Sequence, residues 1–424
     1  MAPLKIGPLA AFTVIASTTV AMMFSAAAPS PLYPVYQELW GFSAFTLTVI
    51  FAVYVIALLG GLLTVGSLSD HIGRRPVLLG GLALMTASMV MFAVADGVPT
   101  LIAARILQGL AAGALTGTLS ATMVDLQPNP RLGSVISSGA PLGGLAFGAV
   151  TAGILIEYAP RPRELIFLVL IVAFVVSAVL VAFIPETSAR TGFTSRRHFW
   201  QVLRPSAGLP PSVRGVFLMS TFGVLATWSL GGLTLSLGSS IVPTIFGIEN
   251  HMATGLILGT FFTFGAVGCV TTSRWSADRK LGIGLATLGT GLIINLIGTM
   301  SATLPIYLTG SVIAGFGFGS TFVGVMATLI AATEPAQRGQ VFSTLYVVSY
   351  LGFSIPAVIG GIAVGHYGLR PTAIGYSIYV LVLVVAAGTA AILRVRAARQ
   401  AAPVDAPIAV PLVTVAADMT DTSR

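Results

Sequence analysis

The sequence predicts an all-α integral membrane protein with 12 transmembrane helices in two pseudo-symmetric six-helix bundles. Three observations carry this prediction: an apolar composition, a series of long apolar runs and an internal repeat. The chain has 424 residues, of which 55% are hydrophobic and only 8% are charged, and its mean hydropathy is +0.96. Such values lie far outside the usual range of soluble domains. The chain therefore belongs in a lipid bilayer.

The apolar residues are grouped in runs long enough to cross a membrane as helices. A spanning helix needs about 20 mostly apolar residues, because only internal hydrogen bonds satisfy its backbone in hydrocarbon. In chain order the twelve predicted spans are 9–35, 44–67, 76–95, 99–123, 133–157, 164–184, 214–238, 251–273, 281–301, 304–331, 339–364 and 370–394. The first run, which follows Lys5, also has features of a cleaved secretory signal. We interpret it as a span, because its loss would spoil the repeat described below.

The cationic side chains predict the orientation of these spans. Of the 21 Lys and Arg residues, 17 fall on connectors of one side and only 3 on the other, while Arg105 lies inside a span. Lys and Arg near the ends of short loops stay preferentially in the cytoplasm. We therefore expect a multi-pass protein of the inner cell membrane with both termini cytoplasmic.

The chain repeats itself with an offset close to half its length. Asp70 corresponds to Asp278 at a shift of 208, and RILQGLAAG (105–113) corresponds to SVIAGFGFG (311–319) at a shift of 206. Parallel duplication of this kind is common in transporters. It predicts an N-terminal bundle (1–184), a cytoplasmic linker (185–213), a C-terminal bundle (214–396) and a disordered cytoplasmic tail (397–424).

A polar stretch, GSLSDHIGRRPV (66–77), separates the second and third spans. Its glycines, acid and basic pair follow a fixed spacing: Gly66, Asp70, Gly73, Arg74 and Arg75. With twelve spans in a 6+6 arrangement, this stretch resembles the major facilitator superfamily of secondary transporters. RILQGLAAG in the fourth span is similar to a second motif of that family. The resemblance covers the chain to about residue 396.

The resemblance implies a bacterial drug-antiporter-like transporter, with the first, fourth, seventh and tenth helices along a central cavity. GAPLGG (139–144) is similar to the GPxxGG element of the antiporter branch, but its spacing is altered. That departure leaves the direction of transport open.

We interpret the polar stretch 66–77 as a gating element, with an ordinary positively charged cytoplasmic loop as the alternative. Gly66 and Gly73 permit close helix approach and a tight turn. By pseudo-symmetry Asp70 should face the start of the eleventh helix near Arg338, where free amide groups and a positive helix dipole attract a carboxylate. We predict that this contact holds the bundles together on the cytoplasmic side and breaks when the cavity opens inward. Asp278 occupies the corresponding place in the second half, without matching glycines.

Polar side chains at membrane depth are candidates for contact with substrate or a coupling ion. None of the 13 carboxylates falls in the middle of a span, so the usual proton relay residue is missing. Glu38, just outside the first span, remains a candidate. Arg105 lies about six residues into its run, and three interpretations stay open: contact with a substrate anion, a member of a coupling relay, or a structural cation that pairs with helix carbonyls and reaches outward.

Further candidates for the cavity are aromatic or polar residues near the middle of their runs. They are Gln108, Trp228, Ser320, Tyr346 and Tyr350. Three prolines in APSPLYP (28–34) must interrupt the first helix, and this makes Tyr33 a candidate outer-gate residue. Asn295 lies at similar depth, and we predict an interhelical hydrogen bond for it. The glycines of GFGFG (315–319) are expected to let helices pack closely.

Several classes of function find no support in the sequence. The net charge of +8 is scattered over short connectors, so no nucleic-acid face is expected. There is no phosphate loop for ATP, no HExxH and no GxSxG motif, and the four histidines stand far apart. We expect no enzyme activity, no metal and no cofactor.

The sequence thus predicts a monomeric secondary transporter that moves a small organic solute by alternating access. Proton-coupled efflux of amphipathic or drug-like compounds is the favoured function. Uptake of a metabolite or organic anion that meets Arg105 is the alternative. A membrane receptor or scaffold without transport is a third possibility, although a receptor would be expected to carry a folded signalling domain.

Overall fold

The computed structural model describes residues 6–65, 68–188, 190–202 and 208–401. Its described part is all-helical, and twelve helices are long and apolar enough to cross a membrane, as predicted. We label the long helices α1 (Pro8–Ala27), α2 (Ala44–Val65), α3 (Arg74–Ala93), α4 (Val98–Leu126), α5 (Pro130–Tyr158), α6 (Leu165–Ala182), α7 (Arg214–Ser236), α8 (His251–Thr271), α9 (Ala277–Ser301), α10 (Leu304–Ala332), α11 (Arg338–Tyr367) and α12 (Leu369–Ala401).

The first span is longer than predicted, and the last helix extends into the predicted tail. After α1 the chain forms a 3-10 turn at Ser30–Leu32 and a short helix at Tyr33–Trp40, so the first span reaches residue 40. The interruption follows from prolines that cannot donate backbone hydrogen bonds. Helix α12 runs on to Ala401 rather than ending before 397. Residues 402–424 of the predicted disordered tail lie outside the described residues.

The helix contacts show the predicted pseudo-symmetry. In the N-terminal half α2 packs on α4, α3 on α4 and α6, and α1 on α5. Each of these contacts recurs six helices later, as α8 on α10, α9 on α10 and α12, and α7 on α11. The main contacts between the halves are α5 with α8 and α2 with α11. The pseudo-two-fold rotation that superposes the halves converts each of these two contacts into the other. This is the two-bundle arrangement that the duplication predicts.

Glycines bring the paired helices into backbone contact. In the GFGFG segment (315–319) of α10, a Cβ at Gly315 or Gly319 would overlap backbone atoms of α8. A Cβ at Gly317 would overlap the backbone of Leu288 in α9. The predicted role of these glycines in close helix packing is confirmed. Asn295 donates to Ser311 Oγ at 2.9 Å and to the Tyr307 carbonyl at 3.2 Å, which confirms the interhelical bond expected for it.

Direct contacts join the two halves at one membrane face. We call the face at which Glu186 contacts Arg74 and Gly208 contacts Thr344 the linker face, and the other the opposite face. At the opposite face Ser30 Oγ donates to the Leu235 carbonyl at 2.8 Å, and the Glu157 carboxylate accepts from the His251 amide at 2.9 Å. A Cβ at Gly153 would lie 2.5 Å from the His251 carbonyl. These contacts join the halves directly.

Candidate functional site

The main candidate site is built around Arg105 in α4. The side chain is buried, with 1% of its surface exposed. Its Nη1 donates to Gln108 Oε1 at 2.7 Å, and its Nε donates to the Tyr33 hydroxyl at 3.1 Å, with Nη2 on the same hydroxyl. Both partners are neutral. The side chain is buried in the bundle, and its hydrogen bonds go to these two side chains rather than to helix carbonyls.

Backbone geometry explains how these groups meet. A Cβ at Gly109 would overlap the Tyr54 carbonyl, and one at Gly113 would overlap the Leu58 carbonyl, so α2 lies directly against α4. This contact places the Tyr54 ring 5.3 Å from the Arg105 guanidinium. The rings of Tyr33 and Phe92 lie at 5.6 and 5.5 Å. Three aromatic faces thus surround the cation, and cation–π attraction offsets part of its desolvation.

The proline-rich start of the chain supplies a further link. The Ser25 carbonyl cannot accept the usual helical hydrogen bond from residue 29, because Pro29 has no N–H. The side-chain amide of Gln108 replaces the missing donor, because its Nε2 donates to the Ser25 carbonyl at 2.8 Å. Gln108 thereby orients its oxygen toward Arg105. We refer to Arg105, Gln108, Tyr33, Tyr54 and Phe92 as the Arg105 cluster.

The charge of the Arg105 cluster is not balanced. Among the residues that the structure describes, no carboxylate lies within ion-pair distance of Arg105. A buried charge is costly unless an opposite charge or good hydrogen bonds compensate for it. The cluster therefore contains a buried cation whose charge a bound anion would neutralise.

An aromatic group lies in the C-terminal half. Trp228 of α7 packs edge-on against Tyr350, Phe353 and Phe322, with ring centroids 4.8, 5.8 and 5.8 Å away. Tyr346 stacks on Tyr350 at 6.3 Å. We refer to these five residues as the Trp228 cluster. The Trp228 Nε1 atom is buried without a hydrogen-bond partner, which leaves a donor available to a ligand.

The two clusters meet at the boundary between the halves. Tyr54 of the Arg105 cluster and Phe51 lie one turn apart on α2. The rings of Phe51 and Phe353 lie 4.9 Å apart, one from each half, and a Cβ at Gly361 would clash with Thr48 one to two turns further toward the opposite face. A line of aromatic side chains therefore connects Arg105 with Trp228.

The structure brings together most of the predicted candidates, but not all. Arg105, Gln108, Trp228, Tyr346 and Tyr350 belong to the two clusters, and Tyr33 binds Arg105. Ser320 is apart from them: its hydroxyl donates to the Lys280 carbonyl at 2.9 Å and joins α10 to α9. Glu38 is exposed at the opposite face. Tyr54, Phe92 and Phe51 were not singled out by the sequence, because apolar runs do not reveal which rings meet.

The predicted gating loop lies at the linker face. Gly66 lies outside the described residues. Gly73 has φ of 104°, a conformation that favours glycine. Arg74 Nη1 donates to Asp70 at 2.5 Å, and its Nε lies 3.5 Å from Asp125. The Asp70 side chain is 60% exposed, so its carboxylate is engaged within its own half. The predicted contact of Asp70 with the start of α11 stays a prediction.

The linker covers this loop. Glu186 accepts hydrogen bonds from the backbone amides of Arg74 (2.7 Å) and Arg75 (3.3 Å), and its carboxylate also binds Arg190 at 3.1 Å. Partial burial raises the pKa of the Glu186 carboxyl, but these donors and the Ser188 amide outweigh it and hold the pKa below its ordinary value. In the second half, Asp278 pairs with Arg394.

Comparison with known proteins identifies relatives of this chain. Residues 15–294 match the family model described as Major Facilitator Superfamily. The 4-hydroxybenzoate transporter PcaK of Pseudomonas putida is 24% identical, over 72% of this chain and 74% of its own length. The gentisate transporter of Corynebacterium glutamicum is 23% identical, over 76% and 74%. The crystal structure of the human organic anion transporter MFSD10 (TETRAN) has the same fold, with a TM-score of 0.67, 16% identity, and coverage of 90% of this chain and 100% of that one.

Proposed function

This chain belongs to the Major Facilitator Superfamily, and on that premise we propose that it carries small organic anions with an aromatic ring across a membrane by alternating access. The observation that carries the proposal is the buried guanidinium of Arg105, which no described carboxylate neutralises. A carboxylate substrate would supply the missing charge and could bind the fork of N–H donors. Two relatives named for aromatic acids support this substrate class.

The aromatic line between the clusters would receive the substrate ring. Tyr54 contacts the guanidinium, and Phe51, one turn away on α2, contacts Phe353 of the Trp228 cluster. We place the carboxylate on this side of Arg105 and the ring against the Trp228 cluster, where edge and face contacts favour aromatic partners. The free Trp228 N–H would serve an oxygen of the substrate.

Transport would proceed by rocking of the two halves, 1–184 and 214–396, about this site. The contacts at the opposite face would part while the linker face closes, and Asp70 would then reach the start of α11. Drug efflux, proton coupling and the inner-membrane location with cytoplasmic termini stay predictions. The buried cation favours acids over cationic drugs, since like charges repel in a site of low dielectric constant.

The test is flux into proteoliposomes that contain the purified chain. We expect 4-hydroxybenzoate to enter at least tenfold faster than 4-hydroxybenzamide, which has the same ring without the charge, or 4-hydroxybenzylamine, which is cationic. The same assay with substrate on either side, and with an imposed pH gradient, reports direction and coupling. Equal rates for the acid and the amide would contradict the proposal. Empty liposomes give the background for leakage.

A further inference from the structure

The groove between α9 and α12 points to a second kind of ligand, separate from the transport site. We infer that it binds one anionic phospholipid, with an acyl chain between the helices and the phosphate at Arg394 and Arg396. The groove has a volume of about 540 Å³, and its walls are mainly apolar residues such as Leu281, Leu285 and Ile392. It opens to the membrane rather than to the path between the two halves.

Small residues shape the groove. At most glycines of α9, a neighbouring helix occupies the space that a side chain would need. A Cβ at Gly284, for example, would lie 2.5 Å from the Thr321 amide nitrogen. Gly282 and Gly388 differ, because a Cβ at either would meet no atom within 4 Å. Helices α9 and α12 approach at Gly289, where a Cβ would lie 3.2 Å from Val384. The groove lies between them on the linker-face side of this point, and the pair of Arg394 and Asp278 spans its end.

The dimensions suit one leaflet of a bilayer. From Gly289 to Asp278, helix α9 rises about 16 Å at 1.5 Å per residue, close to half of the ~30 Å hydrocarbon thickness. Trp275 lies just beyond this end, a position typical of side chains at the membrane–water boundary. Helix α12 is also the least covered span, with 17% of its apolar window buried against 33% or more in every other span.

Charge at the mouth selects the headgroup. Arg394 is 20% exposed and is held in the groove by Asp278. Arg396 is exposed, lines the same groove, and forms no ion pair among the described residues. The mouth therefore carries a net positive charge next to an apolar slot, the combination that favours phosphate-bearing lipids at the cytoplasmic side. A second copy of the chain that packed on this groove about a two-fold axis would bring its own arginines against these, and such a dimer would be disfavoured.

The N-terminal half differs from the C-terminal half at the corresponding place. By pseudo-symmetry α3 and α6 correspond to α9 and α12. After α6 the chain turns back, and Glu186 covers the start of α3 with a carboxylate. After the corresponding position α12 continues as a straight helix to Ala401. The C-terminal groove is thus left uncovered and basic, while its counterpart is capped by an acid.

The test measures lipid retained by the purified full-length protein. Detergent-solubilised protein is mixed with phosphatidylglycerol or phosphatidylcholine of matched chains and analysed by native mass spectrometry. We expect one tightly retained phosphatidylglycerol, and at least tenfold weaker retention of phosphatidylcholine. Arg396→Gln and Gly388→Leu should each lower phosphatidylglycerol retention at least tenfold, the first by removing charge and the second by filling the slot.

Matched controls lie on the same helices outside the groove. Gly375→Leu also faces open space on α12, and Arg279→Gln removes a cation of α9 that stacks on Trp275 at 4.5 Å; both should retain lipid as the unchanged protein does. Equal retention of the two lipids, or unchanged retention in Arg396→Gln, would overturn the inference. A dimer mass that disappears in Gly388→Leu would assign the groove to a second copy instead. Arg396→Gln alters an exposed side chain and decides the matter even if Gly388→Leu fails to fold.

Discussion

Helices α4 and α10 occupy equivalent places in the two halves and share one packing device. Gly109 and Gly113 of α4 meet the backbone of α2, and Gly315 and Gly319 of α10 meet the backbone of α8. Both helices therefore need a glycine at two positions four residues apart, so that a second helix can lie against them. This is the part of the repeat that serves the fold.

The same two helices differ in the polar residues just before these glycines. The place of Arg105 in α4 is taken in α10 by Ser311, and the place of Gln108 by Ala314. Ser311 is satisfied within its half, since Asn295 donates to it and it donates to the Tyr307 carbonyl at 2.9 Å. Arg105 has no anionic partner among the residues that the structure describes. The duplication thus kept the packing in both halves, whereas the position equivalent to Arg105 carries no charge.

The largest effect is expected where the halves agree. Gly113→Leu and Gly319→Leu would each force a side chain into the backbone of the neighbouring helix, at a cost of about 3 kcal/mol or more. We expect both variants to lose most of their folded yield, measured by size-exclusion chromatography in detergent. Gly60→Leu serves as a control, because a Cβ there meets nothing within 4 Å. A folded Gly113→Leu beside a lost Gly319→Leu would break the symmetry argued here.

The next effect separates the halves. Arg105→Ala should abolish flux of an aromatic acid, whereas Ser311→Ala should leave it within about twofold, although both sites are buried. Arg105→Lys should also lose at least about tenfold, or ~1.4 kcal/mol, because a single ammonium group cannot bind Tyr33 and Gln108 as the planar fork does. Transport assays in proteoliposomes measure all three. Near-normal flux in Arg105→Lys would show that the charge alone is sufficient.

A smaller change tests the partners of the cation. Tyr33→Phe removes the hydroxyl that accepts from Arg105, and we expect a loss of about 1.5 to 3 kcal/mol in unfolding free energy, typical of a hydrogen bond to a charged group. Tyr54→Phe keeps the ring that covers the guanidinium and should change stability much less. Thermal denaturation of the two variants gives the comparison. Equal shifts would mean that ring contact, not the hydroxyl, holds Arg105.

The smallest effect concerns the starts of α3 and α9. Glu186 caps α3, and Ser276 accepts from the Arg279 amide at the start of α9. Because the folded pKa of Glu186 is lower than its ordinary value of 4.5, its contribution to stability is complete above about pH 4.5 and is lost as pH falls through the folded pKa. Glu186→Gln should remove this part of the acid dependence, measured as thermal stability between pH 3 and 7. Ser276→Ala should leave the dependence unchanged.

The sequence predicted the fold in more detail than the site. Twelve spans and a two-fold repeat follow from hydropathy and one offset, because length and polarity alone decide which segments cross a bilayer. Arg105 was placed correctly inside a span, but its partners come from α2, α3 and the broken end of α1. Their identity depends on the rotation of each helix, which an apolar run does not encode. Ser320 is the reverse case. Its position near the middle of a span suggested that it lines the cavity, but the orientation of α10 directs its hydroxyl to a backbone carbonyl of α9.

The unbalanced charge of the Arg105 cluster has an electrical consequence. If a monoanion binds there, the loaded carrier holds no net charge in the membrane interior, while the empty carrier holds one positive charge. A charge that crosses the whole field gains or loses about 2.3 kcal/mol per 100 mV, and a charge fixed in a rocking half crosses only a fraction of it. The return of the empty carrier, rather than the loaded step, is then the half of the cycle on which the membrane voltage acts.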